Sequence, residues 1–167
     1  MEFEGALKTP GAQNRMKHAF HAKVEWTGAS AGPAKDYRTY SREYTAHVEG
    51  KPPVRGSADR LFYGDAGLHN PEDMLVIALS ACHLLSYLAE CARSGIEVLS
   101  YTDEADGSME PVDGVTRFTR VTLRPNVVVR GDLQKARALH DRSHDLCFIA
   151  NSVNFPVLHE PSVELFH

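Results

Sequence analysis

At 167 residues, with 43% apolar and 24% charged side chains, the chain has the size and composition of one globular domain with room for a real core. A formal charge of −4 and the lack of any basic run exclude an electrostatic footprint for nucleic acid, so no nucleic-acid partner is expected. Three cysteines exclude a disulfide scaffold, and the odd count leaves at least one thiol free.

The first residues, MEFEGALKTPGAQNR, lack the apolar core of a secretory signal and read as a polar leader. Met16 reads as an alternative start, which makes residues 1–15 a flexible extension and 16–167 a single domain. Residues 18–27 and 37–48 are rich in aromatic and β-branched residues and predict strands around the turn-forming GASAGPAKD. A third short strand is expected near 54–60, after Pro52-Pro53.

The clearest element follows in HNPEDMLVIALSACHLLSYLAECARSG. Asn70 suits the cap, Pro71 the first helical position, Glu72 and Asp73 the positive end of the dipole, and Gly95 the stop. The helix should run about 23 residues, or roughly 35 Å. It is apolar nearly all round from Met74 to Leu88, which predicts burial on most sides at the centre of the molecule. That run contains Ser80, His83 and Ser86 and falls short of the roughly 20 residues of a membrane span, so a cytoplasmic protein without a membrane partner is expected.

IEVLSYTDEADGSMEP and GVTRFTRVTLRPNVVV read as strands joined by a Gly/Pro-containing loop at 107–114. LQKARALHDRSHDL reads as an amphipathic helix with Leu133, Ala136, Leu139 and Ser143 on one face, and SVELF as a last strand. The fold class is therefore α+β, with antiparallel sheet wrapped around a long buried central helix and a second helix beside it.

Two of the cysteines occupy structured positions. Cys82 lies mid-helix in SACHLL, where a thiol alone is most simply an inert core residue. Cys147 lies where the second helix ends and CFIANSVNFPV begins to turn. A peroxide-reducing thiol needs a thiolate to attack the O–O bond and a second thiol to condense with the sulfenic acid before oxidation becomes irreversible. Cysteines on adjacent helices meet that need, and a helix-terminal residue can adjust to the roughly 7 Å Cα limit of a disulfide. Cys91, about 900° further round the helix from Cys82, falls on the opposite side and reads as a bystander. A thiolate in apolar surroundings also needs a cation, for which Arg42 and Arg60 compete. His83 cannot be the activating base of Cys82, because neighbouring side chains on a helix do not face each other.

A metal offers a different reading. His140 and His144 are spaced i, i+4 with Cys147 three further on, a zinc-ligand spacing on one helix face. A solvated face explains the same spacing. No Gly-rich phosphate loop, G-x-S-x-G elbow or H-E-x-x-H is present.

NPEDMLVIALSACHLLSYL, DEADGSMEP, LRPNVVV and CFIANSVNFPVLHEP together resemble the OsmC / organic hydroperoxide resistance (Ohr) family, over roughly residues 18–167. The resemblance implies an OsmC-like fold, an intertwined homodimer with sites at the subunit interface, and a thiol peroxidase acting on organic hydroperoxides. It implies Cys82 as the peroxidatic cysteine, Cys147 as the resolving one, and Glu72 as the carboxylate that orients a catalytic arginine, with strand alignment favouring Arg42 over Arg60. It implies no bound cofactor and an external dithiol reductant such as a lipoyl group. His83 stands where the better-defined branches carry an apolar or aromatic residue, so the chain looks like a broader OsmC-like branch with a Cys-His motif. The alternative within that resemblance is a ligand- or zinc-binding protein, using His140, His144 and Cys147, without turnover. Phe148, Ile149, Leu84 and Leu85 would suit an alkyl or lipid hydroperoxide better than hydrogen peroxide.

Helix geometry bears on the homodimer. Glu72 and Cys82 differ by about 15 Å along one helix and roughly 80° around it. MLVIALSAC contains no Gly or Pro to break the helix, so Glu72 is expected to serve the Cys82 of a second chain.

Overall fold

The structure, a computed structural model, describes residues 17–167. The expected leader, residues 1–15, lies outside the described residues. A small antiparallel sheet comes first: β1 (Lys23–Glu25), β2 (Tyr44–His47) and β3 (Val54–Gly56) in that order, with Val24 opposite Ala46 and Thr45 opposite Arg55. These strands are much shorter than the pattern predicts, and the cause is local hydrogen bonding. Thr27–Ala31 coils into a 3-10 helix, and the Asp36 carboxylate accepts from the Arg38 amide at 2.7 Å. A turn closed by an Asp side chain competes with strand pairing and wins here.

Helix α1 (Pro71–Arg93) matches its predicted bounds. The Asp73 amide donates to the Asn70 side chain at 2.7 Å, and the Asn70 amide donates back to the Asp73 carboxylate at 3.2 Å, a reciprocal cap. Gly95 beyond the end takes φ +73°, a value a side chain would resist. Within one chain the burial is partial. One stripe, Leu79, His83, Tyr87 and Cys91 at four-residue intervals, is buried against the rest of the chain. Ile77 and Leu85 on other faces stay 53% and 65% exposed. A single chain covers one side of this helix and does not wrap it. By length and composition alone α1 could cross a membrane, yet its buried stripe packs on a second helix and a sheet.

The middle of the chain is one long bent hairpin. β4 (Glu97–Asp103) and β5 (Asp106–Val112) run up, and β6 (Val115–Leu123) and β7 (Pro125–Arg130) run back. The stretch expected to be a loop at 107–114 is mostly strand, because only Asp113 and Gly114, at φ +53° and +80°, make the turn. Pro111 is tolerated there because β5 is an edge strand.

Helix α2 (Leu133–Leu146) is capped by Asp132 and buries Ala136, Leu139, His140 and Ser143. It returns the chain in the same direction, so β8 (Val157–His159) pairs parallel with β6 and β9 (Ser162–Leu165) parallel with β7. The sheets are thus mixed, β4-β7-β9 and β5-β6-β8, where antiparallel sheet alone was expected. A helical crossover makes parallel pairing possible, and strand periodicity carries no sign of it.

The hairpin bends at Arg124. Its amide donates to Asp103 at 2.6 Å, and its guanidinium bonds Asp106 and, at 3.0 Å, Glu160. Two hydrophobic clusters flank this bend. Leu79, Val121, Leu123 and Val157 form one, and Tyr87, Cys91, Val127, Val129, Ala136 and Val163 belong to the other. Helix α1 contributes to both.

Candidate functional site

Cys82 and Cys147 meet where the middle of α1 faces the exit of α2. Cys82 is half-buried and Cys147 is 1% exposed, and both are free thiols. Cys147 caps α2 in extended conformation, its amide donating to the His144 carbonyl at 3.1 Å. The Ala150 amide donates to its sulfur at 3.4 Å, and the Asn151 side chain donates to its carbonyl at 2.9 Å. Burial, then a hydrogen bond with the Cys82 thiol, pushes the Cys147 thiol up to about 11, against the opposing Ala150 amide. Cys147 is therefore a protonated thiol in contact with Cys82. Cys91, fully buried beside Tyr87 in the other cluster, is also pushed up, chiefly by burial, and stands apart from the pair.

An apolar cleft of about 600 Å³ opens beside Cys82, walled by Leu85, Ala89, Leu146, Phe148 and Ile149, with Glu90 and Arg93 at its polar end. Leu84 does not line it.

Glu72 belongs to a different cleft, on the first turn of α1, with Asp59, His69, Val76 and Phe118. Helix α1 is unbroken between Glu72 and Cys82, so within one chain these side chains are not brought together. Arg42 sits two residues before β2 in a cage of aromatic rings, its guanidinium 3.8 Å from the Tyr40 ring and 5.3 Å from those of Tyr37 and Tyr63. It donates to the Tyr37 and Tyr40 carbonyls, and among the described residues it forms no ion pair. Arg60 lies exposed on the short 3-10 helix Arg60–Phe62. Between Arg42 and Glu72 stands Tyr44. Its hydroxyl donates to Met74 sulfur at 3.8 Å and is pushed up by burial and then by the Glu72 carboxylate. Tyr44 thus holds the start of β2 against the first turns of α1.

The zinc expectation is corrected. Among the described residues no group of three or more His, Cys, Asp or Glu side chains is arranged to hold a metal. His140 turns inward instead, its Nδ1 3.0 Å from His83 Nε2, and the two rings stack at 5.3 Å and 11°. His159 stacks on His83 at 5.6 Å. The sequence pattern held a signal for this that spacing rules for metals obscured. His83 falls between Leu79 and Tyr87 on one helical stripe, and His140 lies four residues after Ala136.

Residues 64–161 match the family model described as OsmC-like protein. The chain belongs to the OsmC-like family. This OsmC-like protein is 34% identical to an OsmC-like protein of unknown function from Vibrio cholerae, with a TM-score of 0.80 over 87% of this chain and all of that one. It is 28% identical to the uncharacterized protein YmaD of Bacillus subtilis over 58% of this chain and 69% of YmaD. More distant structures share the fold. The organic hydroperoxide resistance protein OhrB of Bacillus subtilis is 19% identical, at a TM-score of 0.58 over 87% of this chain and 98% of OhrB. The mixed α+β architecture with two helices is the OsmC-like fold.

Proposed function

We propose that this OsmC-like protein is a thiol-dependent peroxidase that reduces organic, alkyl or lipid, hydroperoxides. The observation that carries the reading is a buried, protonated Cys147 beside Cys82, which lines an apolar cleft. The relatives named for hydroperoxide resistance point the same way.

In this scheme the Cys82 thiolate attacks the terminal oxygen of ROOH. The O–O bond breaks, RO⁻ takes a proton and leaves as alcohol, and Cys82 becomes a sulfenic acid. Cys147 sulfur then attacks the Cys82 sulfur, its proton leaves with the hydroxide as water, and a disulfide forms. A dithiol reductant, with a lipoyl group as the expected class, restores both thiols by exchange. A protonated Cys147 suits this order, since its proton is the one the departing hydroxide requires. The cleft walls Leu85, Phe148 and Ile149 match an apolar R group.

Arg42 and Glu72 complete the site from a second chain. Glu72 would hold the guanidinium, and the guanidinium would stabilise the thiolate and the developing alkoxide. The exposed Ile77 and Leu85 of α1 are apolar surface that a two-fold partner would cover. The protein works in the cytoplasm in this reading.

One equivalent of tert-butyl or cumene hydroperoxide should consume two thiols and yield a Cys82–Cys147 disulfide by peptide mapping. Unchanged thiols after excess hydroperoxide would end the peroxidase reading.

A further inference from the structure

We infer that the stacked imidazoles of His83, His140 and His159 position Cys147 against Cys82, by holding the α2–β8 connection shut while they are uncharged. The inference rests on Cys82 and Cys147 acting as a thiol pair.

The three rings come from three elements, α1, α2 and β8. His83 is 0% and His140 1% exposed. His83 Nε2 and His140 Nδ1 share a hydrogen bond of 3.0 Å, and His159 stacks on His83 at 5.6 Å and 24°. Tyr87 backs His140 at 3.9 Å between ring centroids. The chain that carries Cys147 leaves α2 seven residues after His140, packs Ile149, Val153 and Phe155 on the Leu79 cluster and joins the sheet as β8, whose last residue is His159. Both ends of that connection are therefore fastened to His83, the residue next to Cys82. The fastening sets where Cys147 stands.

The chemistry of the stack argues against simple core filling. His83 Nδ1, His140 Nε2 and His159 Nδ1 are buried without a hydrogen-bond partner. Each such atom costs stability, and aliphatic side chains of similar volume would fill the space without that cost. What imidazoles add is one internal hydrogen bond and the capacity to charge.

Among the described residues a proton on the inner rings has no carboxylate to pair with. The groups that face the stack are Tyr87 from α1, His144, Asp141 and Asp145 from α2, and His159 from β8. Both carboxylates act on His159, with Asp141 3.5 Å from its Nε2, and neither is among the groups that shift His83 or His140. Burial, then the other imidazoles, holds His83 down to about 4 and His140 down to about 3. A first inner proton leaves the His83–His140 hydrogen bond its acceptor but sets a charge without a carboxylate in an apolar site, and a second proton removes the acceptor and breaks the bond. The α2–β8 connection then loosens and Cys147 swings free of Cys82.

The test uses the full chain and needs no peroxidase turnover. The Cys82–Cys147 disulfide is formed with diamide and equilibrated against dithiothreitol at pH 7, for wild type, His140→Phe and the double variant His83→Gln/His140→Asn. Glutamine and asparagine place amide nitrogen and oxygen near the original ring atoms and cannot titrate. His140→Phe should lower the disulfide equilibrium constant by about five- to tenfold, the loss of one buried hydrogen bond. The double amide variant should stay within about twofold of wild type. In parallel, labelling of Cys147 by 4,4′-dithiodipyridine, which reacts in acid, is followed from pH 7 to pH 4. Wild type should lose about tenfold or more of its protection, and the double amide variant less than about twofold. Equal equilibrium constants for wild type and His140→Phe would overturn the inference, as would a Cys147 that stays protected at pH 4, or an equal acid response in the double variant. If His140→Phe does not fold, the acid series alone decides. A wild-type disulfide that diamide cannot form overturns the thiol pair together with its clamp, whereas a pair that closes but never turns over hydroperoxide overturns the peroxidase reading alone.

Discussion

The two ends of the candidate site are built in opposite ways. Around Cys82 and Cys147 the polar groups are buried, point at one another and come from a single chain. Glu72, on the first turn of α1, and Arg42 are only half-buried, and the guanidinium rests on tyrosine rings and carbonyls with no ion pair among the described residues. The first region is finished and the second lacks its counterpart. In the proposed scheme thiol–disulfide chemistry needs one chain, whereas activation of the thiol needs a neighbour to bring the cation.

The largest expected effect tests the finished region. Cys147→Ser should lose steady-state turnover by at least about a hundredfold and leave Cys82 as sulfinic acid, read by intact mass after substrate addition. Wild-type turnover in this variant would mean that an external thiol resolves Cys82 and that the pair is incidental.

Breaking the unfinished region comes next. Arg42→Ala should lower kcat/KM about a hundredfold, as removal of a transition-state donor does, and Arg60→Ala by less than about threefold. The reverse order would reassign the cation. Inactive Glu72→Ala and Cys82→Ser proteins, unfolded and refolded together in equal amounts, should recover about a quarter of wild-type activity. Half the dimers are then mixed, and each mixed dimer holds one intact site of two. Mixed dimers without activity would place the whole site within one chain.

Acid should separate the regions thermodynamically. His83 and His140 have folded pKa values lowered to about 4 and about 3, so both take up protons more readily when unfolded. Their stabilising contribution is fully present above pH 6.5 and is lost as pH falls toward those values. The loss at pH 5 should be on the order of 2 kcal/mol per histidine, read from urea midpoints. A flat profile between pH 7 and 5 would mean that the stack is open in solution.

How much of this was legible in the sequence follows the range of the interaction. The bounds of α1 were readable because Asn70, Pro71, Asp73 and Gly95 act through bonds a few residues long. The Cys82 and Cys147 positions were readable as motifs, and Cys82 is among the groups that shift the Cys147 thiol. The parallel pairings of β8 and β9, the reach of Tyr44 to Met74 and the inward turn of His140 depend on which elements meet, and residues far apart in the chain decide that. The all-round apolar character of α1 was read correctly as residue type, and one chain buries only one stripe of it, because hydropathy does not say which molecule supplies the cover.

The smallest effect completes the comparison of buried thiols. Cys91→Ala removes a thiol from a packed cluster and should cost about 1 kcal/mol of stability, with turnover within about twofold of wild type. A larger catalytic loss would bring Cys91 into the redox cycle.

Arg124 carries a consequence for cooperativity. It lies where both sheets break, and it ties Asp103, Asp106 and Glu160 together between the two hydrophobic clusters. Exposed ion pairs of this kind add little to total stability. Their position makes them a coupling, so that opening one cluster strains the other. Arg124→Ala, which keeps the backbone bond to Asp103, should weaken that coupling, read as amide-exchange rates that differ more between the two clusters than in wild type. The thiol pair, held mid-way along α1, then sits at the seam between two bodies that open less in step.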